Sequence, residues 1–212
     1  MLLPGDPGRA LMLAQTLLED PRMFNHHRGL WGYTGTARDG EKLTIQATGM
    51  GGPSAAIVLH ELIELGARRA IRVGTCGALS PGLALGELVV AREAICADGA
   101  SRALGADERI AADPALTRAL MREAPGAREG AVVSVDLFYE DGDPGAGRDA
   151  LAVEMEAATL FAVGARAHIP VGCVLTVSDT FDGEGNRERI GDDALLAAAE
   201  KMGAAAIAAL TA

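Results

Sequence analysis

Apolar residues along this chain form short continuous runs that alternate with longer amphipathic segments. Continuous runs are typical of strands buried on both faces, and amphipathic segments indicate helices that pack on a sheet. The predicted strands are 1–4, 43–47, 70–74, 87–95, 131–135 and 171–178. The predicted helices are 9–18, 53–65, 114–123, 154–165 and 192–210, with loops concentrated at 97–112, 139–150 and 180–191.

This alternation predicts an α/β fold, a three-layer αβα arrangement with a mixed central β-sheet. The chain has 212 residues and shows no internal repeat or low-complexity linker, so one domain over 1–212 is expected. In such sheets, ligands bind beyond the carboxyl ends of the strands. Candidate functional residues are therefore sought in the turns that follow the predicted strands.

Composition narrows the possible partners. Hydrophobic residues make up 49% and charged residues 23% of the chain, which is ordinary for a globular protein. The net charge of −10 argues against nucleic acid or an anionic membrane as a partner. The net charge does not exclude a small anionic substrate, because such a substrate needs only a few local arginines.

Several classes of site lack the motif they require. Cys76, Cys96 and Cys173 have no CxxC spacing, which predicts buried, reduced thiols in a cytoplasmic protein. No HExxH motif, histidine cluster or strand-linked GxGxxG is present, so no metal and no organic cofactor are expected. We also expect no signal peptide and no apolar run long enough to span a bilayer.

A glycine-rich turn follows the first predicted strand and reads Gly5-Asp6-Pro7-Gly8-Arg9. Free backbone N–H groups at a helix N-terminus attract anions, and a guanidinium fits a phosphate group. An ordinary tight turn with a surface arginine would look the same. The five residues alone favour this simpler interpretation.

An arginine interrupts the apolar strand at 70–74, and Thr75 follows that strand. Burying Arg72 is costly unless an anion accompanies it. That anion is either a structural carboxylate or a ligand bound at the end of the strand. The spacing of Arg72 and Thr75 makes the ligand at least as good an explanation.

Three carboxylates could take part in chemistry. Glu154 and Glu156 open a predicted helix and could simply complement its dipole. Two alanines follow Glu156, so its carboxylate could instead point inward, where ribose hydroxyls would supply donors. Asp179 follows a buried strand, where it could act as a general acid or cap the next turn.

Taken together, the motifs resemble the bacterial hexameric purine nucleoside phosphorylases of the nucleoside phosphorylase-I family. The resemblance extends nearly from end to end and keeps the order of the family's motifs. The matching segments are 3–10, 28–36, 49–54, 71–79, 134–139, 153–158 and 176–179.

The resemblance implies a phosphorolytic reaction with inorganic phosphate as co-substrate. Gly5, Arg9, Arg72 and Thr75 would bind the phosphate. Arg28 would reach the phosphate of a neighbouring subunit, so a dimer would be the smallest catalytic unit and a hexamer the expected assembly.

The resemblance also implies how the nucleoside is held. Asp179 would donate a proton to purine N7, assisted by a downstream arginine for which Arg189 is the first choice and Arg187 the alternative. The remaining residues would contact the ribose or the base: Met50, Phe138, Val153, Glu154, Met155, Glu156 and Ser178.

The chain departs from the family in two places. The family usually carries an N-terminal extension with a histidine near the ribose 5′ position, and we expect no counterpart of it here. The segment 97–105 also departs from the family and is unusually small. A uridine phosphorylase, a nucleosidase of the same fold and a non-catalytic nucleoside-binding protein stay as alternatives. The sequence leaves open the choice between 6-oxo and 6-amino purines.

Overall fold

The computed structural model of the protein describes residues 1–139, 148–181 and 186–211. Its strands are β1 (Leu2–Leu3), β2 (Leu18–Asn25), β3 (Gly32–Ala37), β4 (Lys42–Gln46), β5 (Ala70–Ala78), β6 (Leu88–Cys96), β7 (Arg109–Ala111), β8 (Arg128–Ser134), β9 (Ala152–Glu154), β10 (Val171–Phe181) and β11 (Arg187–Arg189). Its helices are α1 (Pro7–Leu17), α2 (Gly52–Glu64), α3 (Gly99–Ala103), α4 (Pro114–Glu123), α5 (Ala157–Ala167) and α6 (Asp192–Thr211). A 3-10 turn, His27–Gly29, joins β2 to β3.

All these strands join one mixed sheet, as predicted. Its order is β11-β10-β6-β8-β9-β5-β1-β4-β3-β2, and β7 pairs with β6. Strand β10 pairs with β5 as well as with β6, so β5, β10, β6, β8 and β9 form a closed ring. The pairs β1–β4, β1–β5 and β5–β10 are parallel. The carboxyl ends of these four strands therefore meet at one edge of the sheet.

Helices cover both faces of the sheet, which confirms the three-layer prediction. One buried cluster packs α2 and α5 against the sheet and includes Leu59 and Leu160. The other packs α1, α4 and α6 against the opposite face and includes Leu13, Leu120 and Met202. Small aliphatic side chains fill both clusters, as expected for a chain with few aromatic residues.

The three cysteines are free and buried in this core, as predicted. Burial raises the pKa of the Cys76 and Cys173 thiols above the ordinary value. A protonated, enclosed thiol is a poor nucleophile and a poor metal ligand. These cysteines therefore serve as small core side chains.

Local sequence signals explain where two of the helices begin. Asp6 caps α1 by accepting a hydrogen bond from the Arg9 backbone N–H at 2.6 Å. Asp113 caps α4 by accepting from the Ala115 and Leu116 N–H groups. Both helices carry proline in the first turn, where its missing N–H costs nothing.

Several predicted boundaries were wrong. Helix α5 begins at Ala157 and not at 154, because Glu154 belongs to β9, which pairs with β5 and β8. Strands β5 and β10 continue past their predicted ends to Ala78 and Phe181 because they pair with each other. Of the predicted loops, 140–147 and 182–185 lie outside the described residues.

Some elements were not predicted at all. Strand β2 is almost wholly exposed and has no alternating apolar pattern, although it pairs with β3. The predicted loop 97–112 contains α3 and β7, and the predicted loop 180–191 contains β11. Elements this short have too few residues to show a period.

Helix α6 corrects the expectation that no apolar run could span a bilayer. By length and composition its 20 residues could cross a membrane. In the protein, however, a little under half of the helix is buried, with Ala206 and Met202 in the core beside α1 and the sheet. The same composition is found in core helices, so it is weak evidence for a membrane span.

We expect Gly164→Ala to destabilise the fold. A Cβ atom there would lie 2.4 Å from Val171 Cγ2 and 3.0 Å from the Ile169 carbonyl oxygen. Overpacking of this kind costs roughly 1–3 kcal/mol, which outweighs the gain of up to about 1 kcal/mol in helix propensity. Urea denaturation should therefore show a lower free energy of unfolding.

The matched control is Gly191→Ala, since no atom lies within 4 Å of a Cβ atom at that position. This variant should unfold at the same urea concentration as the wild type or slightly above it. Equal stability of Gly164→Ala and the wild type would show that Val171 can move aside.

Candidate active site

The guanidinium of Arg72 lies buried in β5 at the carboxyl edge of the sheet, with 3% of its side chain exposed. Its Nε atom is 2.9 Å from Glu154 Oε2, and Nη2 is 2.5 Å from Glu156 Oε2. Burial disfavours the charged guanidinium, but Glu156 and Glu154 outweigh this and raise the pKa of Arg72. Arg72 is therefore permanently charged.

A glycine makes room for this arrangement. The Arg72 guanidinium folds back over Gly74, where a Cβ atom would lie 2.7 Å from its Cζ and Nη2 atoms. Any larger residue at position 74 would displace the guanidinium. The glycine two residues after Arg72 is thus a requirement of the site.

Glu154 is fully occupied by protein donors. Its carboxylate accepts from Arg72 Nε, from the backbone N–H groups of Glu156 and Ala157, and from Ser134 Oγ. Burial raises the pKa of Glu154, while the Arg72 guanidinium and the Ser134 hydrogen bond lower it. With this many donors, Glu154 orients Arg72 and the start of α5.

Glu156 has more capacity for a ligand. One oxygen accepts from the Gly51 N–H at 2.6 Å, and the other pairs with Arg72. A carboxylate oxygen can accept two hydrogen bonds, so each oxygen keeps one free position. Glu156 also stands at the N-cap of α5 without bonding the helix backbone through its side chain.

One polar atom in the centre of this cluster lacks a partner. Arg72 Nη1 is buried and has no hydrogen-bond partner among the described residues. Buried donors are nearly always satisfied, so an unpaired one beside two carboxylates indicates that a ligand supplies an acceptor. The acceptor must tolerate a cationic donor, which favours an anion.

Arg9 and the Gly5 turn lie beside this cluster. Burial lowers the pKa of Arg9, Asp6 and Glu156 raise it, and the positive charge of Arg72 lowers it. The two guanidinium groups are therefore close enough to repel each other. The Gly5 carbonyl accepts from the Gly49 N–H at 3.0 Å, which joins this turn to the loop before α2.

Thr75 lies within β5, where it pairs with Thr176, and its side chain is partly exposed. The apolar pattern predicted that the strand ends before Thr75, but the pairing with β10 extends β5 past it. Of the predicted anion-binding residues, Arg9 thus lies near Arg72, and Thr75 lies three residues beyond Arg72 in the same strand.

Arg28 stands apart on the exposed turn between β2 and β3, in the left-handed region with φ 55°. Gln46 holds this turn by donating to the Leu30 carbonyl at 2.9 Å, and Asn25 donates to the same oxygen at 2.7 Å. The neighbouring His26 and His27 rings are exposed and stacked. Arg28 is therefore presented outward on a well-anchored turn.

Ser178 and Asp179 lie on β10 at a β-bulge, since the register with β5 shifts between Val177 and Asp179. Bulges of this kind redirect side chains, often next to active sites. The Ser178 hydroxyl donates to Asp179 Oδ2 at 2.6 Å and lies 3.2 Å from the Cys76 carbonyl oxygen. Asp179 thus lies in a strand and does not cap a turn.

The arginine that contacts Asp179 is Arg187. Its Nε and Nη2 atoms are both 2.7 Å from Asp179 Oδ1, and its Cζ lies 5.1 Å from the centre of the Phe138 ring. Arg189 is opposite Asp179 in the β10–β11 register, but its side chain is exposed. The alternative named from the sequence, and not the first choice, makes the contact.

The other predicted nucleoside-binding residues border this edge with varied exposure. Met50 is 88% exposed between two glycines of positive φ, and Phe138 is also exposed. Val153 lies opposite Gly77, and Met155 is partly buried between the two glutamates. These apolar side chains leave an open surface next to the buried polar cluster.

Ser134, Gly74 and the backbone N–H of Gly51 also belong to the site, although no sequence motif indicated their roles. Only the close approach to Arg72 reveals the role of Gly74, and only the fold brings Ser134 to Glu154. No group of three or more metal-ligating side chains occurs among the residues that the structure describes.

Removing the buried cation should destabilise the protein strongly. Arg72→Met leaves Glu154 and Glu156 buried without their partner, which costs about 3–5 kcal/mol in comparable cases. The matched control is Arg128→Met, because Arg128 is exposed and lies 4.0 Å from Glu87. That variant should differ from wild type by less than about 1 kcal/mol in chemical denaturation.

The defect of Arg72→Met should shrink as the pH is lowered. Without the guanidinium, the pKa of Glu154 rises further, so the folded state holds a proton that the unfolded state has lost. Stability then falls as the pH rises through this interval. Denaturation at about pH 8 and about pH 5 checks this, and a defect that grows toward acid pH would contradict it.

Known proteins resemble this chain over most of its length. A model of the Phosphorylase superfamily matches residues 1–212. The purine nucleoside phosphorylase DeoD-type of Caldanaerobacter subterraneus is 37% identical over 194 residues, 85% of this chain and 82% of that protein. The enzymes of the same name from Geobacillus kaustophilus and Bacillus thuringiensis are both 39% identical, over 84% and 87% of this chain and 80% and 83% of their own lengths. The chain therefore belongs to the phosphorylase superfamily.

Proposed function

We propose that the protein catalyses the phosphorolysis of purine nucleosides to the free base and (deoxy)ribose 1-phosphate. The observation that carries this proposal is the buried, unpaired Nη1 atom of Arg72 beside Glu156, whose carboxylate keeps free acceptor positions. An anion and a polyol would satisfy these two groups together. The matched relatives are named purine nucleoside phosphorylases, which supports the same reaction.

Phosphate is the anion that the arginines suit best. The guanidinium groups of Arg9 and Arg72 repel each other, and a doubly charged oxyanion between them would relieve this repulsion. Gly5 would offer backbone N–H and Thr75 its hydroxyl. The bound phosphate would also place negative charge beneath the developing oxocarbenium ion.

Glu156 would orient the ribose. Its two oxygens are fixed by Gly51 and Arg72 and can each accept one hydroxyl of the sugar. Met50 and Met155 would pack on the sugar, while Glu154 keeps Arg72 and the start of α5 in place. Such fixed positioning contributes much of the rate in bond-breaking reactions.

The base would bind between Phe138, Val153 and the bulge in β10. Asp179, once it has taken up a proton on nucleoside binding, would pass that proton to purine N7. The C1′–N9 bond then breaks, the base leaves as a neutral molecule, and phosphate attacks C1′. Ser178 and Arg187 hold the two oxygens of Asp179 and would set its orientation. We assign the assisting role to Arg187 because it is in contact.

Arg28 supports an oligomer with shared sites. Arg28 lies on an exposed turn, and the site proposed within one protomer does not use it. The Arg28 side chain of a neighbouring subunit would complete the phosphate site. We therefore propose a homo-oligomer, with a hexamer as the expected form, acting in the cytoplasm on small molecules. Inorganic phosphate is the only co-substrate this scheme needs, with no metal and no nucleic acid.

Base release from inosine, adenosine and uridine, each with and without phosphate, tests the proposed function. We expect release from the purine nucleosides only, and only with phosphate, because the arginines bind the attacking group. Asp179→Asn should lower this turnover about 10²- to 10⁴-fold, the usual contribution of a general acid. Release without phosphate would indicate a nucleosidase, and preference for uridine a uridine phosphorylase.

The two arginines of β11 should differ in effect. Arg187→Met removes the contact to Asp179 and should lower kcat/KM for purine nucleosides about 10- to 100-fold, the value of a charged hydrogen bond. Arg189→Met removes the same charge from the same strand and should change kcat/KM less than about threefold. Equal losses in the two variants would point to general charge and not to the contact.

A further inference from the structure

A buried carboxylate behind the proposed ribose site has no role in the scheme above. Asp98 is 1% exposed and directly precedes α3. It accepts from the Ser101 N–H at 2.8 Å, the Ser101 hydroxyl at 2.5 Å and the Thr159 hydroxyl at 2.7 Å. All three donors are neutral, so this carboxylate depends on every one of them to offset its desolvation.

The Thr159 hydrogen bond connects Asp98 to the first turn of α5. Glu156 is the N-cap of the same helix and precedes Thr159 by three residues. Glu156 binds the Gly51 N–H at the start of α2. Asp98 and Glu156 thus fix the same helix end at two adjacent points.

The start of α2 rests directly on this hydrogen bond. A Cβ atom at Gly52 would lie 2.4 Å from Thr159 Oγ1 and 3.2 Å from Asp98 Oδ2. Only a glycine permits this approach. The first residues of α2 therefore pack closely against the Asp98–Thr159 pair and against Ala100.

The same short segment is linked to the base side of the site. The Gly99 N–H donates to Asp136 Oδ2 at 2.7 Å, and Asp136 precedes Phe138 by two residues. The segment around α3 therefore contacts Thr159, near the proposed sugar-binding Glu156, and Asp136, near the proposed base-binding Phe138.

We infer that Asp98, acting through Thr159, is a positioning residue that holds Glu156 at the correct distance from Gly51 to receive the ribose hydroxyls. The inference rests on the proposed function, because it concerns the ribose side of that reaction. Under this inference, the Asp98–Thr159 pair influences sugar recognition without contacting the sugar itself.

Thr159→Val tests this inference, because valine keeps the branched shape and loses the hydroxyl. Thr159→Ser keeps the hydroxyl and should restore wild-type behaviour. The control is Thr117→Val in α4. Among the described residues, the buried Thr117 hydroxyl donates only to the Asp113 carbonyl. That variant measures the cost of losing a buried threonine hydroxyl away from the site.

The expected result is a selective loss of nucleoside recognition. Thr159→Val should lower kcat/KM for inosine about tenfold. This value should then lie closer to kcat/KM for 2′-deoxyinosine, because a misplaced Glu156 no longer binds the 2′-hydroxyl. KM for phosphate should change less than about twofold, because Arg72 keeps Glu154 as a partner. A purely structural defect would lower the active fraction and leave both KM values and the sugar preference unchanged.

Each outcome decides between the hypotheses. A wild-type protein without phosphate-dependent release of purine would contradict the proposed function itself. An active wild type with a Thr159→Val variant that retains its inosine preference, or that behaves like Thr117→Val, would overturn only the positioning role. If Thr159→Val does not fold, Asp98→Asn serves instead, since it keeps the volume and removes one acceptor, and it should show the same change in sugar preference.

Discussion

A guanidinium can be buried inside a protein only if carboxylates lie close enough to offset its loss of hydration. Arg72 meets this condition through Glu154 and Glu156, and much of the site follows from it. Glu154 comes from β9, which pairs with β5. Glu156 comes from the N-cap of α5, two residues further along the chain.

The cluster combines structural and chemical demands in the same residues. Glu154 is saturated with donors from the protein, while Glu156 and the Nη1 atom of Arg72 keep unused hydrogen-bonding capacity. The division assigns stability to one carboxylate and ligand binding to the other. Arg9 adds a second cation close enough for repulsion from Arg72, which makes the site favourable for an anion.

The second half of the site depends on strand pairing and not on this cluster. Strand β10 pairs with β5 over most of its length, and the bulge at Ser178 changes the direction of Asp179. Strand β11 then brings Arg187 to that carboxylate and to the Phe138 ring. The proposed phosphate, sugar and base positions therefore lie along one edge formed by β1, β4, β5 and β10.

The fold class, the main helices and the motifs of this edge could be predicted from the sequence, because alternating apolar periods and glycine turns are local signals. The same holds for Arg72 as a buried charge in need of a partner. In contrast, three features emerge only from the folded chain: Glu154 lies in a strand, Arg187 and not Arg189 contacts Asp179, and Asp98 bonds Thr159 of α5. These facts depend on pairing and contact between residues far apart in the chain, and no local pattern records which partner a side chain meets.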